Sequence, residues 1–251
     1  SLRSLRTDYI DLIQFHNPAK LPDIEDPDGA FAAALEMQKK GYVRHIGITN
    51  HRLGVAQEAI VSGNFETLQF PFCYLTTEKE LDLVAQCKAA DMGYIAMKGL
   101  SGGLLNNAEA CYCFMRQFEN VVPIWGIQRE EELDEWLELA ERNPEMTPEL
   151  QAVIDRDRKE LAGNFCRSCG YCLPCAAGID IPQAARMSAL LRRSPYRPYM
   201  SDEWHAKMHK IEECVHCDAC KSRCPYGLDT PELLKIMLAD YDQFYAEHHN
   251  D

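Results

Sequence analysis

Short apolar runs alternate with amphipathic stretches from residue 8 to about residue 143. The apolar runs are typical of buried strands, and the amphipathic stretches have the spacing of helices with one buried face. Strands are predicted at residues 9–16, 43–50, 66–72, 93–98 and 121–127, and helices at 28–40, 53–61, 77–91, 107–118 and 130–142. Such alternation indicates parallel strands joined by right-handed helical crossovers. A doubly wound sheet and a (β/α)8 barrel both fit this pattern.

The pattern changes after residue 146, where no strand periodicity remains. Helices are predicted at residues 147–162, 183–193, 201–212 and 230–246, the last with Thr230 as its N-cap and Pro231 at its first position. The sequence therefore predicts two domains, an α/β domain over residues 1–146 and a small helical domain over 147–251.

Composition narrows the class of protein. The chain has 251 residues, 46% of them hydrophobic, and a formal net charge of −13. This acidic balance argues against nucleic acid or an anionic membrane as the main partner. No apolar run approaches the ~18 residues of a transmembrane helix. We expect a cytoplasmic globular protein.

Eight of the twelve cysteines crowd between residues 166 and 224. They form two runs, Cys166-x2-Cys169-x2-Cys172-x2-Cys175 and Cys214-x2-Cys217-x2-Cys220-x3-Cys224-Pro225. Such crowding indicates a metal site in a reducing compartment rather than a disulfide scaffold. Zinc usually takes two CxxC pairs separated by a longer segment, whereas the second run matches the bacterial ferredoxin spacing. We expect two [4Fe–4S] clusters, with zinc or disulfides as the alternatives.

In two-cluster ferredoxins the fourth cysteine of each run ligates the other cluster. That rule groups Cys166, Cys169 and Cys172 with Cys224, and Cys214, Cys217 and Cys220 with Cys175. The first run is one residue shorter than the ferredoxin pattern, so closure of each run on its own cluster is the alternative. The clusters could carry electrons or replace a hydrophobic core. The other cysteines, Cys73, Cys87, Cys111 and Cys113, are expected to be buried and inert.

Five segments occur in a recognisable order: SLRSLRTDYIDLIQFHNP, GYVRHIGITNH, TLQFPF, GYIAMKGLSGG and WGIQREEELDEW. Together with the two cysteine runs, they make the chain resemble the aldo-keto reductases, in the branch with a C-terminal ferredoxin-type 4Fe-4S domain. Members of this family are NAD(P)H-dependent (β/α)8-barrel enzymes. The resemblance implies the C-terminal five-unit part of a TIM barrel, strands four to eight, followed by a small all-α ferredoxin-like dicluster domain.

The resemblance also implies roles for residues at the strand ends. His16 matches the histidine that orients the substrate carbonyl, although a structural histidine is the alternative. Thr49 and Asn50 stand where the family binds the nicotinamide carboxamide, and Gln69 matches a glutamine that has a similar role. Met97 replaces a tyrosine that stacks on the nicotinamide. His45 and His51 have no such match and are expected at the surface.

The remaining implied cofactor residues follow the last two strands. Lys98 and the loop with Leu100 and Gly103 fall where the family wraps the pyrophosphate. Gly126, Gln128, Arg129 and Glu135 fall where it binds the adenosine end. Arg129 could meet a 2′-phosphate, but the acidic residues 130–132 behind it would not help. The choice between NADPH and NADH stays open.

The family's tyrosine, lysine and aspartate lie before its fourth strand, and no segment here matches them. At about 30 residues per βα unit, we expect roughly 90–110 residues upstream. The first residue, Ser1, agrees with this expectation. Five strands also leave open sheet edges, so we expect a partner surface or a dimer contact there.

Function follows from the resemblance. We expect an NAD(P)H-dependent oxidoreductase acting on a small carbonyl or alcohol substrate, with clusters that exchange electrons with a redox partner protein or hold the domain together. Because the proton donor is unmatched, we expect no activity from this chain alone. The alternative is a non-catalytic iron–sulfur electron-transfer or scaffold module, and a zinc protein is a third reading.

Overall fold

The computed structural model describes residues 1–161 and 165–249, which form two compact units. The first unit comprises Ser1–Gly99 and Glu109–Thr147, and the second comprises Leu100–Ala108 and Pro148–Asp251. The loop Leu100–Ala108 therefore belongs to the second unit, although it follows the fourth strand of the first unit in the chain.

The first unit alternates strands and helices as the apolar pattern predicts. After a short helix α1 (Leu2–Leu5) come β1 (Ile10–His16), α2 (Ala30–Lys39), β2 (Val43–Thr49), α3 (Leu53–Ser62), β3 (Thr67–Pro71), α4 (Glu78–Ala89), β4 (Gly93–Met97), α5 (Ala108–Met115), β5 (Val121–Pro123) and α6 (Glu130–Arg142). Each predicted strand and helix of this half is present. The last strand is shorter than predicted, since it ends at Pro123 rather than at residue 127.

The five strands form one parallel sheet in the order β1-β2-β3-β4-β5. A doubly wound sheet reverses its strand order part of the way across, whereas a (β/α)8 barrel adds each strand beside the previous one. The observed order is that of a barrel-type α/β sheet. The centre of the sheet is buried, because Ile48, Leu68, Phe70, Tyr94 and Ala96 are each at most 1% exposed.

The second unit contains helices and no strand among the described residues. Its elements are α7 (Pro148–Glu160), α8 (Ile181–Ala184), α9 (Met187–Arg193), a 3-10 turn (Arg197–Met200), α10 (Asp202–His209), a second 3-10 turn (Lys210–Glu213), α11 (Ala219–Arg223) and α12 (Thr230–His248). The predicted end of the first helix, residue 162, lies outside the described residues. Ile179, Met187, Leu191, Leu234 and Tyr241 form the core, and several cysteines pack against it.

Two predictions for this half were wrong in detail. The helix predicted over 183–193 is broken at Ala185 and Arg186. The Arg186 side chain donates to the carbonyl of Pro182 and to that of the distant Gly102, and these bonds hold the break. The N-cap of α12 is Asp229 rather than Thr230, which is already helical.

Among the described helices, none combines the length and the apolar character that crossing a bilayer requires.

Candidate functional site

Three of the predicted site residues lie in one row across the sheet. The register pairs His16 of β1 with Thr49 of β2, and Thr49 with Gln69 of β3. Met97 ends β4 and is paired with Pro71, two residues beyond Gln69. Working residues of barrel enzymes lie at this carboxyl end of the strands. The first unit therefore brings together the side chains that the sequence predicts at its strand ends.

A polar chain crosses the sheet beside this row. Gln14 donates to the Oε1 of Gln69 over 2.9 Å, and the Nε2 of Gln69 contacts the sulfur of Met97 at 3.5 Å. The Oε1 of Gln14 is buried and has no hydrogen-bond partner among the described residues. Gln14 was missed from the sequence, although it lies two residues before His16 and so faces the same side of β1.

Asn50 fixes the turn that follows β2. It is fully buried; its Nδ2 donates to the carbonyl of Pro18 over 2.9 Å, and its Oδ1 accepts the N–H groups of His51 and Arg52. The prediction that His51 lies at the surface was wrong, since this residue is only 6% exposed. Its backbone N–H donates to Asn50, which holds His51 in this turn. Thr49 is buried beside it, and its hydroxyl oxygen accepts the N–H of Asn17 over 3.2 Å.

The two other histidines of this region lie at the surface. His16 is exposed at the end of β1. His45 is exposed as well, with its Nδ1 2.6 Å from a carboxylate oxygen of Glu66. Only His16 stands in the row with Thr49 and Gln69, so it is the histidine that a ligand at the strand ends would meet.

The glycine-rich segment after β4 takes an unusual backbone path. Positive φ angles occur at Lys98, Ser101, Gly102 and Gly103. From Leu100 onward the segment is part of the second unit, where the carbonyl of Gly102 accepts from Arg186 over 2.7 Å. The carbonyl of Leu104 likewise accepts from Arg193 over 3.1 Å. The loop is therefore anchored through its carbonyl groups.

The segment after β5 is exposed at each predicted nucleotide-binding position. Gly126, Gln128, Arg129 and Glu135 all lie at the surface. Glu132 accepts the N–H of Gln128 over 2.8 Å and a guanidinium N–H of Arg129 over 3.1 Å. The bond from Gln128 is the largest cause that lowers the pKa of Glu132. A 2′-phosphate at Arg129 would have to compete with this carboxylate.

The eight clustered cysteines line two cavities of the second unit. The larger cavity, of about 280 Å³, is lined by Cys172, Cys175, Cys214, Cys217 and Cys220. A narrower one, of about 20 Å³, is lined by Cys166, Cys169, Cys172 and Cys224. Each cavity thus receives cysteines from both runs.

The cysteines in these cavities are half-buried, except for Cys217, which is exposed. Burial raises the pKa of Cys172 to about 12, and the neighbouring Cys166 and Cys169 add to the rise. Burial also raises the pKa of Cys220, with smaller contributions from Cys214 and Cys175. Such thiols become thiolates when a metal takes the place of the proton. Soft sulfur donors, five around the larger cavity and four around the narrower one, fit iron–sulfur clusters.

The four scattered cysteines behave largely as expected. Cys87, Cys111 and Cys113 are buried, and burial raises the pKa of Cys87 to about 12. Cys73 is the exception, since it lies in the loop after β3 and is only half-buried.

Comparison with protein families gives two adjacent matches. The model of the aldo/keto reductase family matches residues 1–153. The model of a 4Fe-4S dicluster domain matches residues 165–229, a range that includes both cysteine runs.

Individual relatives match over shorter stretches. The aldo-keto reductase AFTS1 of Alternaria alternata is 28% identical over 111 residues, covering 42% of this chain and 30% of that protein. The methylglyoxal reductase DkgB of Salmonella typhimurium is 36% identical over 86 residues, covering 33% of this chain and 32% of that protein. The chain thus spans about a third of the length of the curated relatives it matches.

A solved structure supports the same fold. An aldo-keto reductase from Klebsiella pneumoniae in complex with NADPH superposes with a TM-score of 0.50 at 20% identity. The superposition covers 62% of this chain and 61% of that one.

Proposed function

We propose, since the chain belongs to the aldo/keto reductase family and carries a 4Fe-4S dicluster domain, that it serves NAD(P)H-dependent oxidation and reduction of carbonyl and alcohol groups. The single observation that carries the proposal is the row of His16, Thr49 and Gln69 at the carboxyl end of the parallel strands. The five strands then correspond to strands four to eight of a (β/α)8 barrel, a correspondence supported by their sequential order. Reduced thiols fit a cytoplasmic setting.

The residues around the row suit a nicotinamide ring. Thr49 and Gln69 would hold the carboxamide, and the fully buried Asn50 would fix the turn that positions Thr49. Met97 would contact the ring through its polarizable sulfur. Bound there, the nicotinamide supplies hydride chemistry to a carbonyl carbon. His16 would fix the direction of the carbonyl oxygen. Gln69 is held in place for this task by Gln14 and by Met97.

The rest of the dinucleotide would bind to residues that follow β4 and β5. Lys98, Leu100 and Gly103 are proposed for the pyrophosphate, and Gly126, Gln128, Arg129 and Glu135 for the adenosine end. Because Glu132 already binds Arg129, we expect little preference for NADPH over NADH. Comparison of the two dinucleotides in one binding assay tests this directly.

Two [4Fe–4S] clusters are proposed for the second unit. Cys166, Cys169, Cys172 and Cys224 would hold one, and Cys175, Cys214, Cys217 and Cys220 the other. The cavity linings support this crossed arrangement, because Cys224 lies with the first run and Cys175 with the second. Such clusters supply single-electron chemistry, and a redox partner protein is the proposed source or acceptor of the electrons.

The substrate is proposed as a small carbonyl compound or alcohol. DkgB is a methylglyoxal reductase, so methylglyoxal belongs in the first panel of aldehydes. Residues 1–251 contain no match to the family's tyrosine, lysine and aspartate. We therefore expect this chain to bind the dinucleotide but not to oxidise it, so that the absorbance at 340 nm stays constant when aldehydes are added.

The test uses the chain purified anaerobically with its clusters. Iron, sulfide and the EPR spectrum of the reduced protein report the clusters, and fluorescence titration reports the dinucleotide. Gln69→Leu is expected to weaken dinucleotide binding about tenfold, since one hydrogen bond is lost. Gln86→Leu is the matched control, because the Gln86 side chain donates to Asp82 on the same helix α4 and away from the row.

Different failures point to different conclusions. Iron and sulfide without dinucleotide binding would favour the second function, a non-catalytic electron-transfer or scaffold module. Zinc without sulfide would overturn the cluster proposal. Turnover by this chain alone would show that another of its residues donates the proton.

A further inference from the structure

We infer that the second unit has a third metal site, separate from the cysteines, in which His205, His209 and Asp242 bind one divalent transition-metal ion. His205 and His209 lie on α10, and Asp242 lies on α12. One ligand atom from each of the three residues lies within 4.8 Å of the other two. Two imidazoles and a carboxylate thus converge on one point.

The two helices explain why the ligand atoms meet. Residues four apart on a helix share a face, so His205 and His209 project side by side, with ring centroids 4.4 Å apart. The ring of His205 also packs against Tyr245 of α12, at 4.4 Å between centroids. From the same helix α12, an Asp242 oxygen lies 3.0 Å from the Nε2 of His209.

These separations are close to those of a filled site. Zinc binds imidazole nitrogen at about 2.0–2.1 Å and carboxylate oxygen at about 2.0–2.2 Å, so two ligands of a tetrahedral ion lie about 3.4 Å apart. The gap between His209 and Asp242 needs to open by only a few tenths of an ångström. The ligand nitrogen of His205 lies within 4.8 Å of the other two ligand atoms, so reaching about 3.4 Å would bring it closer to each of them by at most about 1.4 Å.

A fourth residue supports the ligand role of His209. Its Nδ1 lies 3.3 Å from a carboxylate oxygen of Glu212. Metal-bound histidines almost always donate their second ring N–H to such an acceptor, which fixes the tautomer and leaves the other nitrogen for the metal. Glu212 would therefore leave the Nε2 of His209 free to bind the ion.

The site is open to solvent on one side. The side chain of Asp242 is 43% exposed and that of His209 is 30% exposed. An ion can therefore enter from solvent and keep a water molecule as an additional ligand. Two histidines and a carboxylate suit Zn²⁺ or Fe²⁺, whereas Mg²⁺ and Ca²⁺ prefer sites made entirely of oxygen.

The experiment is calorimetric titration of the anaerobic, cluster-loaded chain, first with zinc sulfate and separately with ferrous ammonium sulfate. Keeping the clusters in place occupies the cysteines, and iron and sulfide are counted before and after each titration. We expect one ion per chain beyond the cluster iron. The relative affinities for the two salts identify the preferred metal.

Variants separate this site from other sites. His205→Phe keeps an aromatic ring against Tyr245 but removes the ligand, and Asp242→Asn removes the charge; each is expected to abolish the extra ion. Glu212→Gln keeps all three ligands and is expected to weaken binding by about 10–100-fold. His45→Ala is the matched control, since His45 pairs with Glu66, and it is expected to change nothing.

Two results would overturn the inference. One is the absence of an extra ion in the wild-type chain with its clusters intact. The other is unchanged binding in His205→Phe and Asp242→Asn. In either case the contact between His209 and Asp242 is a hydrogen bond that ties α10 to α12 and nothing more.

Discussion

Two neighbouring glycines in the loop after β4 have the same backbone handedness but different surroundings. Gly102 has a φ of +68° and Gly103 a φ of +88°. A Cβ on Gly102 would lie 2.6 Å from the Nη1 of Arg186, whereas a Cβ on Gly103 would meet open space. The first position therefore needs glycine for two reasons and the second for only one.

We expect Gly102→Ala to destabilise the protein more than Gly103→Ala. In both variants the left-handed backbone conformation of the new alanine lowers the free energy of unfolding by roughly 1–2 kcal/mol. Gly102→Ala also pushes the buried Arg186 away from its carbonyl partner, which adds roughly 1–3 kcal/mol. Urea unfolding of the cluster-loaded chain measures both variants.

Hydrogen exchange provides a local readout for the same pair. The peptide spanning residues 100–108 should lose more protection in Gly102→Ala than in Gly103→Ala. Equal free energies of unfolding and equal exchange would mean that Arg186 moves aside at no cost.

A pair of stacked indoles joins α6 to the segment that follows β5. The rings of Trp125 and Trp136 lie 4.0 Å apart at an angle of 8°. Trp136 is buried, and Trp125 covers Gly99, where a Cβ would approach its ring to 2.6 Å. The stack thus holds three parts of the first unit: the end of β4, the segment from Gly126 to Gln128, and α6.

We expect Trp136→Ala to lower the free energy of unfolding by about 3–5 kcal/mol, because a buried aromatic side chain is replaced by a cavity. Dinucleotide binding should weaken as well, since the segment carrying Gly126 and Gln128 loses its support. Urea unfolding and fluorescence titration check the two effects. Leu137→Ala, next to it on α6 but 58% exposed, is the control and should change stability by less than about 0.5 kcal/mol. A similar loss in both variants would contradict the role of the stack.

Local periodicity was enough to predict the strands and helices of the first unit from β1 onward, because an apolar face repeats within each element. The short helix α1 was missed, since none of its residues is buried. The break at Arg186 was not predictable in this way. At this break the Arg186 side chain donates to the carbonyl of Gly102, 84 positions earlier in the chain. The apolar spacing over residues 183–193 carries no trace of so distant a partner.

The candidate sites divide along the same line. Cysteine spacing is local, so both runs could be read from the sequence. The place of Gln14 and the burial of His51 depend on pairing between strands and on turns from two loops. The roles proposed for His16 and Gln69 come from the family resemblance, and the strand register explains why these residues stand near each other.

At the scale of the whole molecule, the sheet has two edge strands among the described residues, β1 and β5. Val122 on β5 is 63% exposed and is followed by Ile124, 45% exposed. Unpaired strand edges with apolar side chains invite pairing with another chain. We propose that a second copy of the chain covers an edge.

We expect Val122→Lys to shift a dimer toward the monomer by at least about tenfold in dissociation constant, because a charged side chain on an edge strand opposes pairing. Sedimentation velocity over a range of protein concentrations measures the shift. Val61→Lys introduces the same charge on α3, at a site that is 84% exposed, and should leave the association unchanged. A wild-type chain that stays monomeric at every concentration would contradict the proposal.

The anchoring of the glycine-rich loop by Arg186 and Arg193 has a consequence for gene dissection. A polypeptide ended at Thr147 would keep every strand and yet lose both guanidinium donors to that loop. The boundary between the two units of the fold therefore differs from the boundary between the two family matches along the sequence. A chimera that takes its cysteine-rich portion from a relative should fold only when residues 100–108 come from the same relative.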